Sequence, residues 1–219
     1  MNKSKIIVSI SAIVIVLSLV ITVVAVRSTP TYAFTTNMNK LAEGIHKEME
    51  DHSGLSYSSN PYDYIDNNQY YENIIKMKLD ALPLLVESLE NSEESGLMEY
   101  IMSIAIEEIS GVDMESLEGE WSSGQEFLEK YQVFLRGVED NVNVIMTSEI
   151  LNEDEKVEAL SKIGIYALPY IEEKKQLDKV VVSEAKEEIK KEYKDNTEGT
   201  IISNSKVEII DDLVKSVEE

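Results

Sequence analysis

The residues with the chemistry to act on a ligand are few, and most belong to one class. Carboxylates come as adjacent doublets at Glu93-Glu94, Glu107-Glu108, Glu172-Glu173 and Glu187-Glu188. Hydrolysis of a glycosidic bond needs two carboxyl groups facing each other across a cleft, one of them with a raised pKa. Neighbours on a helix point about 100° apart, so no doublet is such a pair by itself. Glu107 or Glu108 flanks an apolar stripe, which marks it as a partly buried cap or hydrogen-bond acceptor. The two histidines, His46 and His52, fall in a polar stretch. His46 and Glu50 share a helix face at i,i+4 with Glu43 one turn back, but a metal needs further ligands and a second shell. Asp113, Glu115, Glu118 and Glu120 cluster around Gly111 and Gly119 without the alternating pattern of an EF-hand loop. With no cysteine in the chain there is no thiolate nucleophile, zinc thiolate or disulfide framework. No Gly-x-Ser-x-Gly elbow, phosphate-binding glycine loop or dinucleotide fingerprint occurs. The reading is no catalytic residues, no cofactor and no metal.

Aromatic residues offer a binding surface instead. Tyr57, Tyr62, Tyr64, Tyr70 and Tyr71 alternate with Asn and Asp, and Trp121 precedes a helix. Tyr62, Tyr64, Tyr70, Tyr71 and Trp121 are the candidate interaction surface, since exposed Tyr and Trp dock peptides or glycans. The competing reading packs these rings inside the domain.

Ile6 to Val26 is 21 residues without a charge. As a helix it spans ~32 Å, against a hydrocarbon core of ~30 Å. Lys3 and Lys5 precede it and no acid does, which predicts a cytoplasmic N-terminus and an extracytoplasmic remainder; Arg27 opposes this weakly. Thr31-Tyr32-Ala33 is a poor small-x-small site, and the run exceeds a usual signal core, so an uncleaved single-pass anchor is preferred over a cleaved signal peptide or a buried helix. Beyond Arg27 the chain carries 17 basic and 42 acidic residues, about −25. Such a surface repels phosphate backbones, which argues against nucleic acid as a partner and leaves cationic partners open.

The elements that must position these residues read as helices. Residues 1–5 form the cytoplasmic end, 6–26 the anchor, 27–59 a linker with one amphipathic helix, 60–177 the main domain and 178–219 an acidic helical tail. In the linker, 28–37 reads as irregular, with Asn37 capping a helix that carries Met38, Leu41, Ala42, Ile45 and Met49 and ends at Gly54. Asn60-Pro61 opens the domain. Helices are predicted from Tyr70 to Met77 and Ala81 to Glu90, on the stripe Leu97–Ile109 closed by Gly111, on Phe127–Val138 with Ser122 or Ser123 as cap and Gly137 near its end, and over Val138–Leu151. Another is capped by Asn152 and ended by Gly164. Glu184–Tyr193 reads as a solvated helix, Asp195–Ser205 as turns, and Val207–Val217 as a last helix. Val180-Val181-Val182 is the best strand candidate, too short to found a sheet.

Residues 74–87 (IIKMKLDALPLLVE) and 160–173 (LSKIGIYALPYIEE) match at an offset of 86, with Lys76/Lys162, Ala81/Ala167, Leu82/Leu168, Pro83/Pro169 and Glu87/Glu173 identical. Proline in a first helical turn is tolerated because its missing N–H has no intrahelical acceptor there. The run from Ile163-Gly164 through Ala167-Leu168-Pro169 to Ile171 resembles the inter-helix turn of HEAT-like repeats, over about half the chain; Lys78 stands where Gly164 would be expected. The resemblance implies stacked helix pairs serving as a binding scaffold; an irregular bundle with two similar hairpins is the alternative. The fold class expected is all-α, a transmembrane helix followed by an extracytoplasmic helical-hairpin domain. The function expected is a membrane-anchored, non-enzymatic protein-interaction module. The alternatives are an envelope hydrolase using buried carboxylates and a weak divalent-cation-binding domain.

Overall fold

A computed structural model of the chain describes residues 29–51 and 58–193. The anchor at 6–26, the segment holding His52, Gly54 and Tyr57, and the expected turns and last helix beyond 194 lie outside the described residues. The described residues are all-α, without a strand, and no helix among them is long and apolar enough to cross a membrane.

The first helix, α1 (Pro30–Glu50), begins a full two turns before the expected start. Thr29 and Pro30 supply the stronger signal. The Thr29 hydroxyl accepts from the Tyr32 amide at 3.2 Å, and proline occupies the first turn. The 28–37 stretch is thus helical rather than irregular. Asn37 does not cap; its Nδ2 donates to the Ala33 carbonyl at 2.8 Å, and its Oδ1 accepts from Asn73 Nδ2 at 3.1 Å. Starting early adds Phe34 to the buried stripe of Leu41 and Ile45, which packs on α3 (Gln69–Lys76).

Between them a short α2 (Tyr62–Ile65) follows Asn60, whose Oδ1 accepts from the Tyr62 amide at 3.2 Å. Asn68 caps α3, taking the Tyr70 and Tyr71 amides. A 3-10 turn at Lys78–Asp80 leads into α4 (Leu82–Glu90), which packs on α5 (Leu97–Ser110). Gly111 ends α5 in the left-handed region at φ 67. A short α6 (Met114–Glu118) follows.

The long α7 (Gly124–Thr147) is capped by Ser123 and corrects the expected break at Gly137. Phe127, Tyr131, Phe134, Val138, Val142 and Met146 run as one buried stripe through that position. An interior glycine costs ~1 kcal/mol, and burying each large apolar side chain contributes about 1.5–3 kcal/mol, so packing carries the helix across it. Asn152 and Glu155 form a reciprocal cap on α8 (Glu153–Ile163). A 3-10 turn at Gly164–Ala167 then gives α9 (Leu168–Glu173).

The last described helix, α10 (Lys179–Tyr193), contains the strand candidate Val180-Val181-Val182. Asp178 Oδ1 accepts from the Val180 and Val181 amides at 3.0 and 3.1 Å, and Val181, Val182, Ala185 and Ile189 are buried at helical period, so the segment is helical. This helix packs against α8.

The two copies of the Ala-Leu-Pro motif share one local construction: helix, 3-10 turn, then a helix with proline in its first turn. Lys78 takes φ 54 where its counterpart Gly164 takes φ 65, so the chain reverses at both without requiring glycine at the first. Leu79/Ile165, Ala81/Ala167 and Leu82/Leu168 are buried in both. The mismatched pair is explained by environment. Val86 is buried under α5, whereas Glu172 sits outside, bridged to Lys175 at 3.2 Å and to Lys186.

Candidate functional site

The cleft that gathers the most varied chemistry lies where α2, α3, the Lys78 turn and α5 meet, with a volume of ≈ 570 Å³. Ile65, Ile75 and Tyr71 supply its apolar and aromatic surface. Tyr62, Asp66, Asn67, Glu72, Lys76, Lys78 and Glu108 supply the polar groups. Local backbone explains the assembly. Asn67 takes φ 54 between α2 and α3, a conformation asparagine tolerates better than most residues, and folds the two helices toward each other.

Tyr71 is buried and its hydroxyl donates to Glu108 Oε2 at 2.7 Å, tying α3 to α5 across the base of the cleft. Burial and the adjacent Glu108 carboxylate hold the Tyr71 phenol far above its ordinary range. Tyr62 is 56% exposed at the rim; its phenol is raised by partial burial and by Glu107, Tyr100 and Glu108. Glu72 pairs with Lys76 at 3.1 Å.

The five residues of the expected aromatic surface thus separate. Tyr62 and Tyr71 share the cleft. Tyr64 is buried, its hydroxyl donating to the Ser58 carbonyl at 3.1 Å. Tyr70 is exposed and does not line the cleft. Trp121 is half-buried between Tyr100 and Phe127, with ring centroids 4.5 and 4.9 Å away, and begins an aromatic series through Phe127 and Tyr131 to Tyr166. Tyr131 and Tyr166 are fully buried and hydrogen-bond to each other through their hydroxyls.

Other acids have structural work. Glu107 Oε1 accepts from the Met114 amide at 3.1 Å, joining α5 to α6. Burial raises its pKa, the Met114 amide opposes that, and Asp113 and Glu115 add to it. Asp113 caps α6 by accepting from the Ser116 amide at 3.0 Å. His46 and Glu50 stand 3.2 Å apart on an exposed face. Among the described residues no three His, Cys, Asp or Glu side chains converge to hold a metal ion.

Sequence reasoning missed Asp66, Asn67, Glu72 and Lys78 as members of a site. The only local signal was the repeat, which draws attention to Lys78. Among the described residues the cleft lining includes no Ser, Thr, Cys or His, and two of its three carboxylates are already engaged, Glu72 by Lys76 and Glu108 by Tyr71. The arrangement suits retention of a segment that offers both apolar and charged groups. Compared with known proteins, the chain matches no protein-family model, no curated protein and no solved structure.

Proposed function

We propose that this chain is a membrane-tethered, extracytoplasmic helical module that binds a protein segment in the Tyr62 cleft and performs no chemistry there. The observation that carries the binding reading is the cleft itself. It offers an exposed tyrosine, apolar walls and charges of both signs, while Glu72 and Glu108 are tied up in an ion pair and a hydrogen bond. A nucleophile needs an activating base within reach, and the described residues of the lining provide no such couple. The uncharged run Ile6–Val26 and the preceding Lys3 and Lys5 support tethering with the domain outside. The duplicated helix–turn–helix supports a HEAT-like scaffold as the parent of the fold.

The test is in-cell photo-cross-linking. A photoreactive side chain at position 62 is expected to capture a discrete partner, whereas one at Ile150, which is 93% exposed and remote in sequence, is not. Equal capture at both positions, or none at 62, refutes the cleft as a docking site. Protease added to cells stripped of their wall is expected to digest the domain; its survival refutes the orientation.

A further inference from the structure

A second cleft, of ≈ 490 Å³, has a different lining and a different character. It is lined by Asp113 from the α5–α6 connection, by Asp154, Val157, Glu158, Ser161 and Lys162 from α8, and by Glu184 and Glu188 from α10. Five carboxylates face one ammonium group. Three of the five have partners: Glu158 pairs with Lys162 at 3.0 Å, Glu188 with Lys191 at 3.4 Å, and Asp113 accepts from Ser116. Among the described residues no ion pair reaches Asp154 or Glu184.

Ser161 adds an independent observation. It is only 9% exposed, and its buried Oγ has no hydrogen-bond partner among the described residues. Leaving a buried hydroxyl unsatisfied is costly, because it gives up its bonds to water and gains none in return. Helical serines elsewhere in the fold avoid this by donating to the carbonyl one turn back: Ser88 to Leu84 at 2.7 Å, Ser103 to Glu99 at 3.0 Å and Ser110 to Ile106 at 2.6 Å. Ser161 makes no such bond and lines the acidic cleft.

We propose that this cleft between α8 and α10 binds an extended organic cation. Its ligand carries two or more primary ammonium groups on an aliphatic chain, as a linear polyamine or neighbouring lysine side chains do. The acids are distributed along two helices and the α5–α6 connection, and among the described residues they do not converge in threes, which disfavours a compact divalent ion and suits charges spaced along a chain. Ser161 Oγ accepts from one ammonium N–H, Asp154 and Glu184 receive the charge, and Val157 contacts the methylenes. The site is independent of the Tyr62 cleft.

The experiment is calorimetric titration of the full chain in nonionic detergent at about 150 mM NaCl, where screening over ~8 Å suppresses diffuse attraction. The titrants are spermidine, acetyl-trilysine amide and magnesium chloride. Saturable binding of spermidine or the peptide is expected, weakened roughly ten- to hundredfold in Ser161→Ala by loss of one hydrogen bond to a charged group. A larger loss is expected in an Asp154→Asn/Glu184→Gln double variant. Far-UV circular dichroism and thermal melting establish that each variant is folded; Ser161→Ala removes only an unbonded hydroxyl. Tighter binding of spermidine identifies a small polyamine as the source, and tighter binding of the peptide identifies a protein's lysines. The proposal is overturned if neither binds, if the variants bind as the parent does, or if magnesium displaces the ligand as effectively as its charge alone predicts.

Discussion

Replacing Gly164 by alanine tests how the two halves of the helical domain are joined. Gly164 ends α8 at φ 65, and a Cβ built there would stand 2.3 Å from the Ser110 carbonyl oxygen and 2.7 Å from the Gly111 carbonyl carbon. Those atoms are backbone at the end of α5 and cannot swing aside as a flexible side chain would. Next to this contact the Asp113 amide donates to the Lys162 carbonyl at 2.9 Å, so any displacement also strains a bond between the two segments. At φ 65 and ψ −147 the backbone lies outside the left-handed helical well, in a region that glycine almost alone populates, and holding an L-residue there costs about 1–3 kcal/mol. Alanine's smaller freedom in the unfolded chain offsets about 0.4–1 kcal/mol of that. Forcing packed backbone apart costs a further ~1–3 kcal/mol. The net destabilisation is about 2–4 kcal/mol, and at ~2–4 °C per kcal/mol for a domain of this size the melting temperature falls by roughly 5–15 °C. Thermal unfolding followed by circular dichroism reads this directly, with urea titration as a second measure. Lys78→Gly is the matched control. That position has φ 54 already carried by a lysine, so relief of strain and the entropy of a new glycine nearly cancel, and the melting temperature stays within about 3 °C. A Gly164→Ala melting temperature within about 2 °C of the parent would refute the argument that backbone contact, rather than turn conformation alone, makes glycine necessary there.

Gly124→Ala probes a second close approach, between α7 and α5. Its Cβ would lie 2.6 Å from Glu99 Cβ and 2.8 Å from the Glu99 backbone, so a loss of about 1–3 kcal/mol in urea unfolding is expected despite alanine's better helix propensity. Tyr71→Phe removes the bond to Glu108, whose own side chain can rehydrate, so stability falls by only about 1 kcal/mol while partner capture at position 62 weakens. Glu107→Gln keeps an acceptor for the Met114 amide and removes a carboxylate whose folded pKa burial has raised. A raised carboxyl pKa destabilises the fold once the group ionises, and that penalty disappears as pH falls below the ordinary carboxylate range. The variant is therefore expected to melt above the parent at pH 7 and to converge with it in acid. A constant gap across pH would contradict the assignment.

Local signals in the chain were enough for most helix boundaries. Asn152 with Glu155, Ser123, Gly111 and Gly164 act through their own backbone bonds or dihedral freedom, which depend on neighbours in sequence. The repeat at an offset of 86 was legible for the same reason, since a 3-10 turn followed by proline is a local structure. The failures occur where long-range burial competes with a local preference. Gly137 reads as a helix end, yet the α7 stripe continues to Met146 because its apolar face is covered along its whole length. Val180-Val181-Val182 has β-branched composition, yet Asp178 caps it and α8 covers Val181 and Val182.

The candidate sites were the least legible part. Five aromatic residues looked alike in sequence, and packing buried Tyr64 and Tyr71, wedged Trp121 between two rings and left Tyr62 at the mouth of a cleft. Glu108 joins that cleft from 37 residues beyond Tyr71, and Asp113 joins the acidic one from a different helix pair than Glu184. Caps and turns act among residues within a turn or two of each other, so most helix ends can be read along the chain. Which side chains share a cavity is set by how helices pack against each other, and that information exists only in the folded arrangement of all of them.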